Sequence, residues 1–174
     1  EVYLEAVKEC VNKGKKAIIL VPEIALTPQT IERFASNFKN EIAVVHSGLS
    51  IGERFDQWHK IREGNYNVVI GSRTALFSPQ PNLGLVIIDE EHEWTYKQSD
   101  MPPRYHARDV ALMRCKYEKA VVLISSATPS FESYYNYLNK KKLSGKYSLF
   151  AIAGFIFVPA FIATLPLEAL IRLF

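Results

Sequence analysis

The sequence predicts an α/β fold: a parallel sheet with helices on both faces. Three observations predict it. Short, continuous apolar runs at residues 17–21, 42–45, 68–70, 85–88 and 121–124 read as strands buried on both sides. Stretches of helical periodicity alternate with them, which is the pattern of parallel sheets with crossover helices. The composition is that of a globular chain, with 48% hydrophobic and 22% charged residues in 174.

The elements follow in order. Val2, Ala6 and Cys10 recur at every fourth position, as do Tyr3, Val7 and Val11, so the chain starts on an amphipathic helix closed by Gly14. Thr27 and Pro28 supply an N-cap and a first helical residue, and Ile31, Phe34 and Phe38 mark that helix's inner face. Ser50 and Glu53 make a capping box. The helix it opens is expected to turn Phe55, Trp58 and Ile61 inward and to stop at Gly64. Two further helices are expected over 107–117 and 130–139. Cys10 and Cys115 are far apart and lack a Cys-x-x-Cys pattern, so they read as small core residues of a reducing compartment, without zinc or disulfide.

Residues 140–174 differ in character. Lys140, Lys141, Lys142 and Lys146 precede an uncharged, mostly apolar run over 147–167. As a helix rising about 1.5 Å per residue, that run spans roughly 30 Å, the thickness of a bilayer core. The expectation is a basic linker followed by an apolar helical tail, either membrane-spanning or the product of a frameshift or fusion. The chain opens inside a helix without a signal peptide, which suggests a truncated product. The net charge of +3 is compatible with nucleic-acid contact without arguing for it.

In parallel sheets ligands sit at the carboxyl ends of the strands, so those loops are the candidates. The run from Leu85 to Ile88 delivers Asp89, Glu90, Glu91 and His92 to a strand tip. A nucleotide-hydrolysing site needs one acid to help hold Mg²⁺, a role for Asp89, and one to orient and deprotonate water, a role for Glu90. The same acids would also suit a solvated turn at a helix N-terminus. Ser126, Ala127 and Thr128 follow another strand; hydroxyls there can relay a change to a neighbouring acid, or simply form a turn with Pro129. Pro22, Thr27 and Gln29 lie where a helix N-terminus can meet a backbone phosphate, although capping alone explains Thr27. Gly71 permits close approach, and Ser72, Arg73 and Thr74 offer donors and charge. In the loop over 94–106 and just beyond it, aromatics (Trp94, Tyr96, Tyr105) alternate with cations (Lys97, Arg104, Arg108). Rings that stack on bases beside charges that meet phosphates are how single strands are held; a loop plugged onto the core is the other use of such residues.

These blocks occur in the order Val-Pro-Glu-Ile-x-Leu-Thr-Pro-Gln, His-Ser-Gly-Leu-Ser, Ile-Gly-Ser-Arg-Thr-Ala-Leu-Phe, Asp-Glu-Glu-His, Tyr-Lys-Gln, Pro-Arg-Tyr-His-Ala-Arg-Asp and Ser-Ala-Thr-Pro-Ser. The series resembles the primosomal replication-restart helicases of helicase superfamily 2, over residues 1 to about 136. The resemblance implies a RecA-like (P-loop NTPase type) first lobe over 1–139. It implies an ATP-dependent 3′-to-5′ DNA helicase that acts in primosome assembly and replication restart at stalled forks, in the bacterial cytoplasm. ATP and Mg²⁺ are the implied cofactors, with Asp89 holding the metal through water. His92 would couple nucleotide to motion, and Ser126, Ala127 and Thr128 would link hydrolysis to movement. The implied DNA face is Pro22, Thr27, Gln29, Ser72, Arg73, Thr74, Trp94, Tyr96, Lys97, Arg104, Tyr105 and Arg108. Implied partners are forked or single-stranded DNA and primosome proteins. Members of the family carry a Gly-x-x-Gly-x-Gly-Lys-Thr loop and zinc-binding cysteines that these residues lack. The sheet is therefore expected to be incomplete, the fragment zinc-free, and ATP hydrolysis by it absent. The competing expectation is a membrane-tethered, non-catalytic nucleic-acid-binding module anchored through residues 147–167.

Overall fold

A computed structural model describes residues 2–38, 41–133, 135 and 148–151. Helix α1 (Val2–Asn12) leads to β1 (Lys16–Leu20), α2 (Pro28–Ala35), β2 (Ile42–Val45), α3 (Ile51–Arg62), β3 (Val68–Gly71) and β4 (Leu83–Ile88). A two-stranded antiparallel pair, β5 (Lys97–Gln98) and β6 (Tyr105–His106), precedes α4 (Ala107–Glu118), β7 (Val121–Ser125) and β8 (Ser148–Ala151). The main sheet has the order β2-β3-β1-β4-β7-β8, and each neighbouring pair is parallel.

Side chains alternate across a strand, so successive residues of β1 enter different cores. Ile18 and Leu20 pack with Val69, Val86, Ile88, Val122 and Ile124 beneath α3 and α4, through Ile61, Ala107, Ala111 and Cys115. Ala17 and Ile19 pack with Val68, Ile70, Leu85 and Ile87 on the opposite face, beneath α1 and α2, through Ala6, Val7, Cys10 and Phe34, with Phe38 joining from the turn after α2. Both faces are thus covered, as the unbroken apolar runs require. Each fully buried Ile or Leu contributes about 1.5–3 kcal/mol.

The caps behave as their residue types dictate. Gly14 takes φ 69° after α1, and the Thr27 hydroxyl accepts from the Thr30 amide at 3.3 Å. Both halves of the Ser50/Glu53 box form. Burial pushes the Cys10 and Cys115 thiols up to about 12, as inert core cysteines.

Two expectations are corrected. Ile61 is buried, but Phe55 is 61% exposed and stacks on His59 with ring centroids 4.1 Å apart, while Trp58 is half-buried. Helix α3 carries a long charged face, and Ile61 supplies its buried contact near the C-terminal end. The second correction concerns the tail: Ser148–Ala151 is a strand, not part of a helix, with Val122 opposite Ser148 and Ser125 opposite Ala151. It gives β7 a partner on the side away from β4. The rest of the tail over 140–174, and half of the helix expected over 130–139, lie outside the described residues. Among the described residues no helix is long and apolar enough to cross a membrane.

Candidate functional site

Strand β4 lies between β1 and β7, and both neighbours grip the residues just past its tip. The Asp89 amide donates to the Leu20 carbonyl at 2.9 Å, and the Glu91 amide donates to the Ser125 carbonyl at 2.9 Å. Between these anchors Glu90 takes φ 47°, a left-handed backbone that favours glycine. The Asp89 carboxylate accepts from the Tyr3 hydroxyl and, at 3.1 Å, from the Glu90 amide. The Tyr96 hydroxyl donates to the Asp89 carbonyl at 2.6 Å. Burial first, and then the nearby Asp89 carboxylate, raise both tyrosine hydroxyls well above the ordinary phenol value, so both are donors at neutral pH.

Glu90 Oε2 is shut away from solvent and accepts no hydrogen bond. His92 Nδ1 lies 3.4 Å from it and 2.6 Å from Ser126 Oγ, and the same hydroxyl accepts from the Thr128 amide at 3.2 Å. The fold therefore brings Asp89, Glu90, His92, Ser126 and Thr128 into one site from two adjacent strand tips. Ala127 sits exposed beside them. An unpartnered carboxylate oxygen next to a second carboxylate fits a hydrated divalent cation or a water to be deprotonated. Among the described residues no three His, Cys, Asp or Glu side chains converge to bind a metal alone.

Glu91 had no assigned role in the sequence, yet it is the most connected acid of the three. Its side chain is 1% exposed and accepts from Arg108 Nη1 at 2.8 Å, Ser130 Oγ at 2.7 Å, the Ser130 amide at 3.2 Å and Ser133 Oγ at 2.6 Å. Burial alone would raise its pKa, but the bonds from Ser133, Ser130 and Arg108 outweigh it and hold the carboxyl below the usual range. The only signal was the spacing Ser130-x-x-Ser133, which places both hydroxyls on one side of a helical turn.

The expected nucleic-acid residues divide by placement. Ser72, Arg73, Thr74 and Tyr96 line one cleft of about 150 Å³ at the tips of β1, β2 and β3, together with Val21, Glu23, Ser47, Arg54 and Thr95. Trp94 is 79% exposed, and Lys97, Arg104, Thr74 and Gln29 are also at the surface. Thr27 is half-buried as a cap, while Pro22 and Ser72 are buried. Three residues are placed differently from a stacking or phosphate-contacting role. Tyr96 is 1% exposed, because its ring joins the core under α4. Arg73 donates to the carbonyls of Thr95 at 2.9 Å and Lys97 at 3.2 Å, pinning the aromatic loop. Arg108 is turned inward onto Glu91, as a buried cation must be paired. Tyr105 is half-buried and meets Phe77 edge-on, centroids 5.2 Å apart. Gly71 does permit a close approach, but of the Val45 carbonyl in β2: a Cβ on it would lie 2.0 Å from that oxygen.

Comparison with known proteins points the same way. The family model described as DEAD/DEAH box helicase matches residues 1–136. The chain is 52% identical over 134 residues to the replication restart protein PriA of Bacillus subtilis, covering 77% of this chain and 16% of that protein. It is 53% identical over 141 residues to PriA of Chlamydia muridarum, covering 81% and 19%. For PriA of Synechocystis the figures are 49% over 135 residues, 78% and 16%. The chain therefore spans less than a fifth of the length of these relatives. Among solved structures, the C-terminal domain of S. cerevisiae Dbp5 superposes with a TM-score of 0.53 at 18% identity, covering 86% of this chain and 84% of that one. Dbp5 bound to RNA and ADP BeF3 gives 0.51 at 14% identity, covering 86% and 37%. Those two likenesses speak to the fold alone.

Proposed function

The chain belongs to the DEAD/DEAH box helicase family, and from that premise we propose that it is part of the first RecA-like lobe of an ATP-dependent 3′-to-5′ DNA helicase that acts in replication restart. The observation that carries the reading is Glu90: a carboxylate on a left-handed backbone at the tip of β4, with one buried oxygen that accepts no hydrogen bond. Strained, under-satisfied groups of this kind cluster at reacting centres.

Asp89 and Glu90 are the residues that fit Mg²⁺ and the attacking water. A bound magnesium ion would neutralise phosphate charge there. Glu90 takes the role of orienting water and accepting its proton. His92 and Ser126 join that acid to the loop after β7, through which occupancy of the site can reach the rest of the lobe. These 174 residues contain no Gly-Lys-Thr loop, so a polypeptide of this sequence is expected to show no ATP turnover by itself. Primosome proteins are proposed partners on the strength of the PriA relatives. A tether through residues 147–167 has only the apolar pattern behind it, and the strand at Ser148–Ala151 counts against a helix there.

The exposed part of the loop, Trp94, Lys97 and Arg104, is the proposed single-strand contact. The test is fluorescence anisotropy of a labelled oligo-dT with this chain. Binding should weaken as salt rises, because phosphate contacts release counterions. Trp94→Ala should cost about 1–3 kcal/mol, the worth of a stacked base. Salt-independent binding, or an unaffected Trp94→Ala variant, would remove this loop from the DNA face.

A further inference from the structure

The Asp89 carboxylate is held by a helix far from it in the chain. Tyr3 lies in the first turn of α1, 86 residues earlier, and its hydroxyl donates to Asp89 Oδ1. The Glu90 amide donates to the same oxygen at 3.1 Å. A carboxylate oxygen has two lone pairs, so these two donors saturate Oδ1. Neither bond uses Oδ2, which keeps its acceptor capacity. The donors come from different parts of the fold, a helix on one face of the sheet and the turn just past β4, and together they fix the orientation of the carboxylate. The Tyr3 ring is half-buried against the core under α1, in the cluster that includes Ala6, Val7 and Ile87. Ser125, at the tip of β7, is a second side-chain neighbour of the hydroxyl. An apolar body seated in a core with one polar atom at its end is a stiff arm. Val7 and Cys10 are already fully buried beneath the same helix, so docking of α1 does not depend on the hydroxyl.

We propose that Tyr3 is a positioning residue for a divalent cation: by occupying Oδ1 it holds the Asp89 carboxylate in one orientation and leaves Oδ2 as the oxygen presented to the water shell of the ion. The assignment rests on the reading of Asp89 as the metal-facing acid. It extends that reading from the strand tip to α1, a helix that carries none of the residues placed in the site so far. An aspartate with an unrestrained χ1 samples three staggered wells, so an unheld Asp89 is aimed correctly only about a third of the time. Its affinity for an ion falls by the same fraction. The residue type suits the task. A phenol orients the carboxylate without adding charge, whereas a Lys or Arg in its place would cancel the negative charge that attracts the ion.

The test uses the whole chain, isotopically labelled, in solution. Tyr3→Phe removes the hydroxyl and keeps the ring in the core. Couplings to the Asp89 Cβ protons report χ1. They should show one rotamer in the unsubstituted chain and an average over rotamers in Tyr3→Phe. The Val7 and Cys10 amides should keep their protection from exchange, which a docking role for the hydroxyl would not allow. Mn²⁺ is then added in stages, and paramagnetic broadening is followed at the Asp89 and Glu90 amides. Half-broadening should need about threefold more Mn²⁺ in Tyr3→Phe, and Asp89→Asn should remove the effect. Asp89 couplings unchanged in Tyr3→Phe overturn the proposal, and so does broadening at the same or a lower Mn²⁺ concentration. Lost protection along α1 overturns it as well, because the hydroxyl would then serve to dock the helix. Absence of broadening near Asp89 in the unsubstituted chain removes the metal reading itself. Broadening there that is indifferent to Tyr3→Phe leaves that reading standing and removes Tyr3 alone.

Discussion

A glutamate with positive φ gives up conformational energy that a glycine would not. At Glu90 the cost is of order 1 kcal/mol or more, and the side chain returns little to the packing, since its buried oxygen accepts no hydrogen bond and lies 3.4 Å from His92 Nδ1. Glu90→Gly should therefore raise stability by about 1 kcal/mol, or about 2–4 °C in Tm for a chain of this size. Thermal unfolding followed by circular dichroism measures it; a fall in Tm would mean that the carboxylate contributes to the fold. Glu91, one residue on, should behave in the opposite way. Replacing it with Ala leaves Arg108 buried without its partner, and breaking such a pair costs about 3–5 kcal/mol.

Among the elements, β3 is unforgiving of change at Gly71. Gly71 lies where β3 passes the Val45 carbonyl, and a Cβ would also come within 2.8 Å of the Ala75 Cβ. Gly71→Ala should cost about 1–3 kcal/mol by forcing the ladder between β2 and β3 apart; urea denaturation gives the value, and a loss below 0.5 kcal/mol (roughly the scatter of surface substitutions) would refute the fit. The elements themselves were largely legible, because buried parallel strands are unbroken apolar runs and caps depend on local residue types. The inner face of α3 was not. Phe55 and Trp58 share the periodicity of Ile61, and only the position of the sheet decides which of them is covered. The site was legible where it is local in sequence, as with Asp89 and Glu90 after β4. It was not legible where residues meet through the fold: Glu91 with Ser130 and Ser133, Tyr3 with Asp89, and Arg73 with the carbonyls of the loop. Tyr96 looks like its exposed neighbour Trp94 in the sequence, and only the packing under α4 separates them.

For the whole molecule, two of the depressed pKa values, both on half-buried or buried groups, bear on the response to acid. His106 Nδ1 caps α4 by accepting from the Arg108 amide at 3.2 Å, which requires a neutral ring, and burial together with the Arg108 charge lowers its pKa below 6.5. The unfolded chain binds that proton first, so stability should decline as pH falls from 6.5 through the lower folded value. Glu91 adds a second decline from 4.5 downward, for the same reason of sign. Urea midpoints measured between pH 8 and pH 4 check this, and His106→Asn, which retains a cap acceptor without a titrating ring, should flatten the upper limb only. The strand order has a further consequence, in time. Strand β1 is central, but its neighbours are distant in the chain: Ala17 pairs with Val68 on one side and Leu85 on the other. A ribosome adding about 5–20 residues per second releases β1 several seconds before either partner exists. During that interval the run Ala17-Ile18-Ile19-Leu20 has no sheet to enter. The order in which the chain is made thus leaves a central strand waiting longest, and that is the stretch a holding chaperone has most reason to cover.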